Sequence, residues 1–260
     1  MIGNDVVDLE DPDTRPETFR PRFDQRVFDP AERRAIARAS DPHACRWTHW
    51  AAKEAGYKLA RQVDETFVFT PARLVARFDS IESEAGGRIA RRGTLTLPRS
   101  LGPGLDHLEL RSDETSERVH VLAAPPGADW DAIVSSIEQD DGAEDPSARV
   151  RSVARLTIAR DLGIDEARIA IGRRGAPRAS GAARIPTVLI DGARSGLALS
   201  LSHHGRFVAC AMTLRADPDE SPRGARSAGR GARGNEGVGG FEAMRRAQQA
   251  AAKVRNEVSG

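Results

Sequence analysis

The chain opens on a short β-branched run, VVDL, which predicts a strand ending at the acidic turn EDPD. A helical period follows. Asp29-Pro30-Ala31-Glu32 joins an N-cap aspartate, a proline at the first helical position and a glutamate able to close a capping box, predicting a helix to about Ala39. Asp41-Pro42 repeats the device and predicts a second helix to about Arg61. On it Trp47, Trp50, Glu54 and Lys58 fall at three- and four-residue steps along one face, with Lys53 and Tyr57 on the adjacent stripe. The two tryptophans read as core. From Thr66 to about Pro125 the period changes to alternating, β-branched segments (TFVF, ARLVARF, GTLTL, LDHLEL, RVHVLAA) between Gly- and Pro-rich turns, an antiparallel meander.

The second half repeats the order of capped helix and strands. A short helix is expected around Trp130–Glu138, followed by a polar linker, QDDGAEDPS. Asp145-Pro146 starts a third long helix, VRSVARLTIARDLG, that stops at Gly163. Strands recur at RIAI, IPTVLI, LALSLSH and FVACAMTL. The fold class is therefore α+β, divided into an N-terminal lobe over 1–140, a C-terminal lobe over 141–214 and a Gly/Arg-rich tail over 215–260. The tail lacks the apolar content to pack and is expected to be disordered, with at most a frayed helix near its end.

Composition narrows the function classes. At 260 residues, 39% hydrophobic and 30% charged, the chain has material for one large domain or two small ones. From Arg215 onward nine basic residues face six acidic ones, which leaves residues 1–214 at 30 against 32, a net of −2. A body so near neutrality lacks the basic footprint of a nucleic-acid binder. Cys45 and Cys210 match no metal-ligand spacing and fit a reducing compartment as small buried hydrophobes. No apolar run approaches the roughly 18 residues of a membrane span, and the N-terminus is too acidic for a signal peptide, so a cytoplasmic protein is expected.

Lysine usage then points to chemistry. Lys and Arg total 39, yet lysine occurs only at Lys53, Lys58 and Lys253, and two of these lie in the nine-residue stretch WAAKEAGYK beside the sole tyrosine, Tyr57. A compact ammonium serves phosphate binding and proton transfer in ways an always-charged guanidinium does not. Taken alone, Glu54 and Lys58 at i, i+4 describe an ordinary surface ion pair worth about 0.2–0.5 kcal/mol. The scarcity of lysine elsewhere favours a functional role.

Three elements, IGNDVVDL, WAAKEAGYK and SLSHHGRFVACA, together resemble the 4′-phosphopantetheinyl transferase superfamily, with its G-x-D-(I/V)-x-(E/D) strand, W-x-x-K-E-A-x-x-K helix and (S/N)-x-S-H strand. Arg151 and Arg155 before Leu162-Gly163 resemble the family's R-x-x-x-R…L-G helix, and Gly175-Ala176-Pro177 stands where its G-K-P turn lies. The motif order is that of the short holo-acyl-carrier-protein synthases, at the length of two-lobed members. The resemblance implies a pseudodimer of two similar lobes, each with a long helix packed on an antiparallel sheet. It further implies transfer of 4′-phosphopantetheine from coenzyme A to a serine of an apo acyl or peptidyl carrier protein.

By the same resemblance Asp5 and Glu54 are metal ligands, for Mg²⁺ or Mn²⁺, and Glu54 is also the general base, acting directly or through water. Lys58 serves the departing 3′,5′-ADP. Lys53, Ser202, His203, Arg151 and Arg155 contact coenzyme A. Asp8 stands outside the family pattern, since Val7 occupies the usual second acidic position, and Arg174 or Arg178 substitutes for the missing lysine of the turn. A monomer is expected, the second lobe taking the place of a second subunit, with no membrane or nucleic acid among the partners of the body. The rival reading is a non-catalytic transferase-fold module whose basic tail contacts a partner or nucleic acid.

Overall fold

The computed structural model describes residues 1–83, 87–140, 142, 144–174 and 185–213. The tail and the Gly175-Ala176-Pro177 turn with Arg178, for which expectations were stated, lie outside the described residues.

The N-terminal lobe begins with β1 (Gly3–Asp8) and three helices, α1 (Phe23–Val27), α2 (Pro30–Arg38) and α3 (Pro42–Val63). The capping logic read from the sequence is present. Asp29 Oδ1 accepts from Ala31 N at 2.7 Å and Glu32 Oε2 accepts from Asp29 N at 2.7 Å, while Asp41 Oδ1 accepts from Ala44 N at 2.9 Å at the start of α3. Strands β2 (Val75–Ser83), β3 (Ile89–Thr96), β4 (His107–Glu114) and β5 (Arg118–Ala124) form an antiparallel meander that β1 completes, in the order β1-β5-β4-β3-β2. The segment TFVF, expected as part of the meander, is not a strand. Its Phe67 and Phe69 pack on Tyr57 of α3, and Phe69 also meets Trp50.

Helix α3 lies across this sheet with Trp47 and Trp50 buried, as core residues should be. Gly3 explains how close β1 comes to it: a Cβ there would stand 1.9 Å from the Ala55 carbonyl oxygen. Any larger residue would lift the strand off the helix, and Asp5 with it.

In the C-terminal lobe α4 (Pro146–Leu162) is capped by Asp145 and ends at Gly163 in a left-handed conformation, φ 63°. It packs on a sheet built from β6 (Ile133–Gln139), β10 (Leu199–His204) and β11 (Phe207–Thr213) in the order β10-β11-β6. A second three-stranded sheet, from β7 (Ile169–Arg174), β8 (Ile185–Ile190) and β9 (Ala193–Arg194), completes the lobe. The helix expected around Trp130–Glu138 is a single 3-10 turn at Trp130–Ala132 followed by β6. Hydrogen bonding to β11 makes an extended strand of Ile133–Gln139, since a sheet partner outweighs weak local helix preference. Because β6 belongs to the C-terminal sheet, the first lobe's own sheet ends at Ala124, before the boundary expected at 140.

The lobes meet along β1. Val6 packs with Phe207 and Ala209, and Ile2 with Ala124 and Ala211. Gln62 at the end of α3 donates through Nε2 to Ile2 O at 2.6 Å and to Leu199 O at 3.4 Å, and Arg174 Nη2 donates to Gln62 O at 2.8 Å. Among the described residues no helix is long and apolar enough to cross a membrane.

Candidate active site

Three elements bring the chemistry together. β1 supplies Asp5, α3 supplies Glu54 and Lys58 one turn apart, and β10 supplies Ser202 and His203. Lys58 Nζ donates to Asp5 Oδ1 at 2.8 Å and to Asn4 O at 3.0 Å, so the ammonium is spent across the lobe on β1 and not on Glu54. Ser202 Oγ donates to the same Asp5 oxygen at 2.7 Å.

Glu54 is the electrostatic anomaly of the site. It is buried, 6% exposed, and its Oε1 has no hydrogen-bond partner. Burial first, and the Asp5 charge second, push its carboxyl up to about 8 against the opposing pull of Lys58. A buried carboxylate without donors beside a second carboxylate is unfavourable unless a proton or cation offsets it.

Beside this pair a cleft of about 210 Å³ opens between the lobes, lined by Lys58 and Arg61 of α3, Arg151 of α4, Arg173 of β7 and His203 of β10, with apolar walls that include Tyr57. No carboxylate lines it among the described residues. Arg61 is only 9% exposed; its Nη1 donates to Tyr57 Oη at 3.1 Å and its Nε has no partner. The imidazole of His203 is held below the usual histidine range, by desolvation and then by the Lys58 charge, so it is neutral at pH 7.

Several expected contacts go elsewhere. Lys53 is fully buried and pairs with Glu32 at 2.7 Å, while donating to the carbonyls of Pro71 and Leu74. With no exposed surface it is a core strut joining α3 to α2 and the start of β2, not a phosphate contact. Arg155 misses the cleft: its Nε bonds Glu166 at 3.0 Å within its own lobe. Ser202 is buried, with its hydroxyl accepting from Val6 N at 3.2 Å and donating to Asp5, so it serves the seam and the carboxylate instead of coenzyme A. Asp8 is 1% exposed and gives both oxygens to Arg206 and Glu10 N. Burial raises its carboxyl, but the bonds and charge of Arg206 outweigh burial and leave it lowered, as a structural ion pair. Arg174 is engaged with Gln62 O and sits 3.7 Å from Glu65.

Arg61 and Arg173 were missed. The signal for Arg61 was present, three residues after Lys58 on the same helix face. Nothing in the sequence singled out Arg173 from its neighbours, because only the pairing of β7 with β8 turns it to the cleft.

Comparison with known proteins finds a family match over part of the chain. The family model of the 4′-phosphopantetheinyl transferase superfamily matches residues 1–87, the segment that holds β1, α3, Asp5, Glu54 and Lys58. Among solved structures, a crystal structure of Thermotoga maritima holo-(acyl-carrier-protein) synthase is similar at 14% identity and a TM-score of 0.32, over 75% of this chain and 84% of that one. No curated protein matches the chain. The chain is thus an α+β protein similar to a superfamily of transferases. The resemblance read from its three motifs, to the 4′-phosphopantetheinyl transferases, is borne out over its first third.

Proposed function

We propose that the protein transfers 4′-phosphopantetheine from coenzyme A to a serine of an acyl or peptidyl carrier protein, releasing 3′,5′-ADP. What supports the reading most is the interlobe cleft: four cationic side chains and a neutral histidine, with no lining carboxylate among the described residues, form a receptor for several phosphates, and Lys58 in its wall bonds the Asp5 carboxylate, whose charge acts on Glu54. Arg61, Arg151 and Arg173 hold the phosphates of the nucleotide, with His203 adding a directional hydrogen bond.

The residues fit a hard divalent cation, Mg²⁺ or Mn²⁺. Glu54 Oε1 is buried without a donor, and among the described residues Asp5 Oδ2 accepts no hydrogen bond. Among those residues no cluster of three ligating side chains exists, but Mg²⁺ commonly takes one or two protein carboxylates and completes its shell with water and substrate phosphates. When bound, the cation supplies charge to the pyrophosphate under attack.

The chain's own groups account for the proton and the leaving group. Glu54, as its carboxylate, accepts the proton of the carrier serine hydroxyl as it attacks the β-phosphorus, directly or through water. Lys58, half-buried at the cleft, offsets the negative charge growing on departing 3′,5′-ADP. The acceptor docks through an acidic helix face against arginines around the cleft. The protein works as a monomer in the cytoplasm with one coenzyme A per chain, a compartment in keeping with its two free, buried cysteines. Incubation with coenzyme A, Mg²⁺ and a panel of apo carrier proteins tests the reading: a mass gain on a carrier supports it, and no gain on any carrier despite coenzyme A binding opposes it.

A further inference from the structure

The edge of β1 that β5 leaves unpaired is met by side chains, not by another strand's backbone. Asn4 N donates to Ser200 Oγ at 2.9 Å, Val6 N to Ser202 Oγ at 3.2 Å and Asp8 N to His204 Nδ1 at 3.1 Å. Each bond joins residues 196 apart, so β1 and β10 run parallel in fixed register, with hydroxyls and an imidazole standing where ladder carbonyls would be. The three N–H groups are buried, and the docking of the C-terminal lobe is what satisfies them.

Ser202 makes a second bond. Having accepted from Val6 N, it gives its own proton to Asp5 Oδ1 at 2.7 Å, the oxygen that also takes Lys58 Nζ at 2.8 Å. Two donors on one oxygen fix the plane of the carboxylate and leave the other oxygen open. Lys58 belongs to the same lobe as Asp5, whereas Ser202 comes from the other and, among the described residues, is the one side chain of that lobe bonded to this carboxylate.

We infer that Ser202 is a positioning residue that makes the divalent-cation affinity of Asp5 depend on the docking of the C-terminal lobe. The inference rests on the proposed metal-dependent transferase reading. A cation would thereby be held firmly only when the lobe carrying Arg151, Arg173 and His203 is seated, so that metal and nucleotide sites form together. Removing a group that orients a metal ligand typically weakens metal binding by about 10–100-fold.

The test is calorimetric titration of the full chain with Mn²⁺, and separately with coenzyme A, for wild type, Ser202→Ala, Ser202→Thr and Ser200→Ala, each with a melting curve. Ser200→Ala deletes the same kind of seam bond without touching a carboxylate and so controls for the loss of one seam bond with the lobe still docked. The expected result is Mn²⁺ affinity lowered at least about tenfold in Ser202→Ala. Ser202→Thr and Ser200→Ala should bind Mn²⁺ like wild type, and coenzyme A affinity in Ser202→Ala should hold. Equal Mn²⁺ affinity in Ser202→Ala and wild type overturns the inference and leaves the proposed function standing. So does an equal loss in Ser200→Ala, which reduces Ser202 to a seam residue, or a loss of coenzyme A affinity instead of Mn²⁺, which makes it a substrate contact. No Mn²⁺ uptake by wild type, with or without coenzyme A, overturns both.

Discussion

Replacing Glu54 with glutamine should stabilise the protein while abolishing transfer, and the stabilisation should grow with pH. Glu54 ionises near 4.5 in an unfolded chain and at about 8 in the fold, because burial and the Asp5 charge penalise its anion. Below pH 4.5 both states hold the proton and the group is neutral in its effect. As pH rises from 4.5 to 8 the unfolded chain releases the proton and the folded one keeps it, so folding stability is lost through that window and levels off above it. The displacement sets a ceiling of about 5 kcal/mol; water entering beside the carboxylate takes up part of it, and about 2 kcal/mol is the working expectation at pH 8. For a folded body of this size that is roughly 4–8 °C in melting temperature. The assay is thermal unfolding of wild type and Glu54→Gln between pH 5 and 9 without metal, repeated with Mg²⁺, which should raise the melting point of wild type alone. Parallel pH curves for the two proteins, or a variant less stable at pH 8, would show that the carboxyl is not strained and refute the reasoning.

Three further outcomes are expected. Arg61→Met should weaken coenzyme A binding about tenfold by calorimetry, the worth of one charge-assisted hydrogen bond, without lowering the melting temperature, because among the described residues the guanidinium has no carboxylate partner to leave behind; unchanged affinity would remove Arg61 from the site. His120 is buried on β5 and held down to about 4 by desolvation and the charge of Arg118. Its neutral form supports the fold above pH 6.5, and stability is lost as pH falls towards 4, so His120→Leu should flatten the acid limb of a denaturation series by up to about 3 kcal/mol; an unaltered limb would contradict this. Deleting 216–260 should change neither melting temperature nor turnover, and loss of coenzyme A binding on truncation would assign the tail's arginines to the site.

Capped helices were legible because their signals are local. Asp29-Pro30, Asp41-Pro42 and Asp145-Pro146 each start a helix where expected, and Gly163 ends one. Strand Ile133–Gln139 was misread because its identity comes from β11, seventy residues away in sequence, and TFVF because its aromatics serve α3 instead of a sheet. The site divides the same way. The structure brings Lys58, Arg151 and His203 to one cleft and ties Asp5 to it through Lys58, with the Asp5 charge acting on Glu54, whereas Lys53 and Arg155 go elsewhere and Ser202 bonds Asp5 instead of lining the cleft. Spacing gave the helix face of Lys53 but not that Glu32 and two carbonyls would enclose its ammonium. Nor does sequence reveal that Glu166 reaches Arg155 from the turn after α4.

The central claim is tested most directly by following the pantetheine arm itself. Coenzyme A labelled isotopically in that arm is incubated with the full chain, Mg²⁺ and an apo carrier protein, and the carrier is digested and sequenced by mass spectrometry while 3′,5′-ADP is quantified. The account predicts the labelled arm on one carrier serine, in equal amount with 3′,5′-ADP and absent with Glu54→Gln. Label that stays in coenzyme A with every carrier tried, or that transfers equally well with the Glu54 variant, would contradict it.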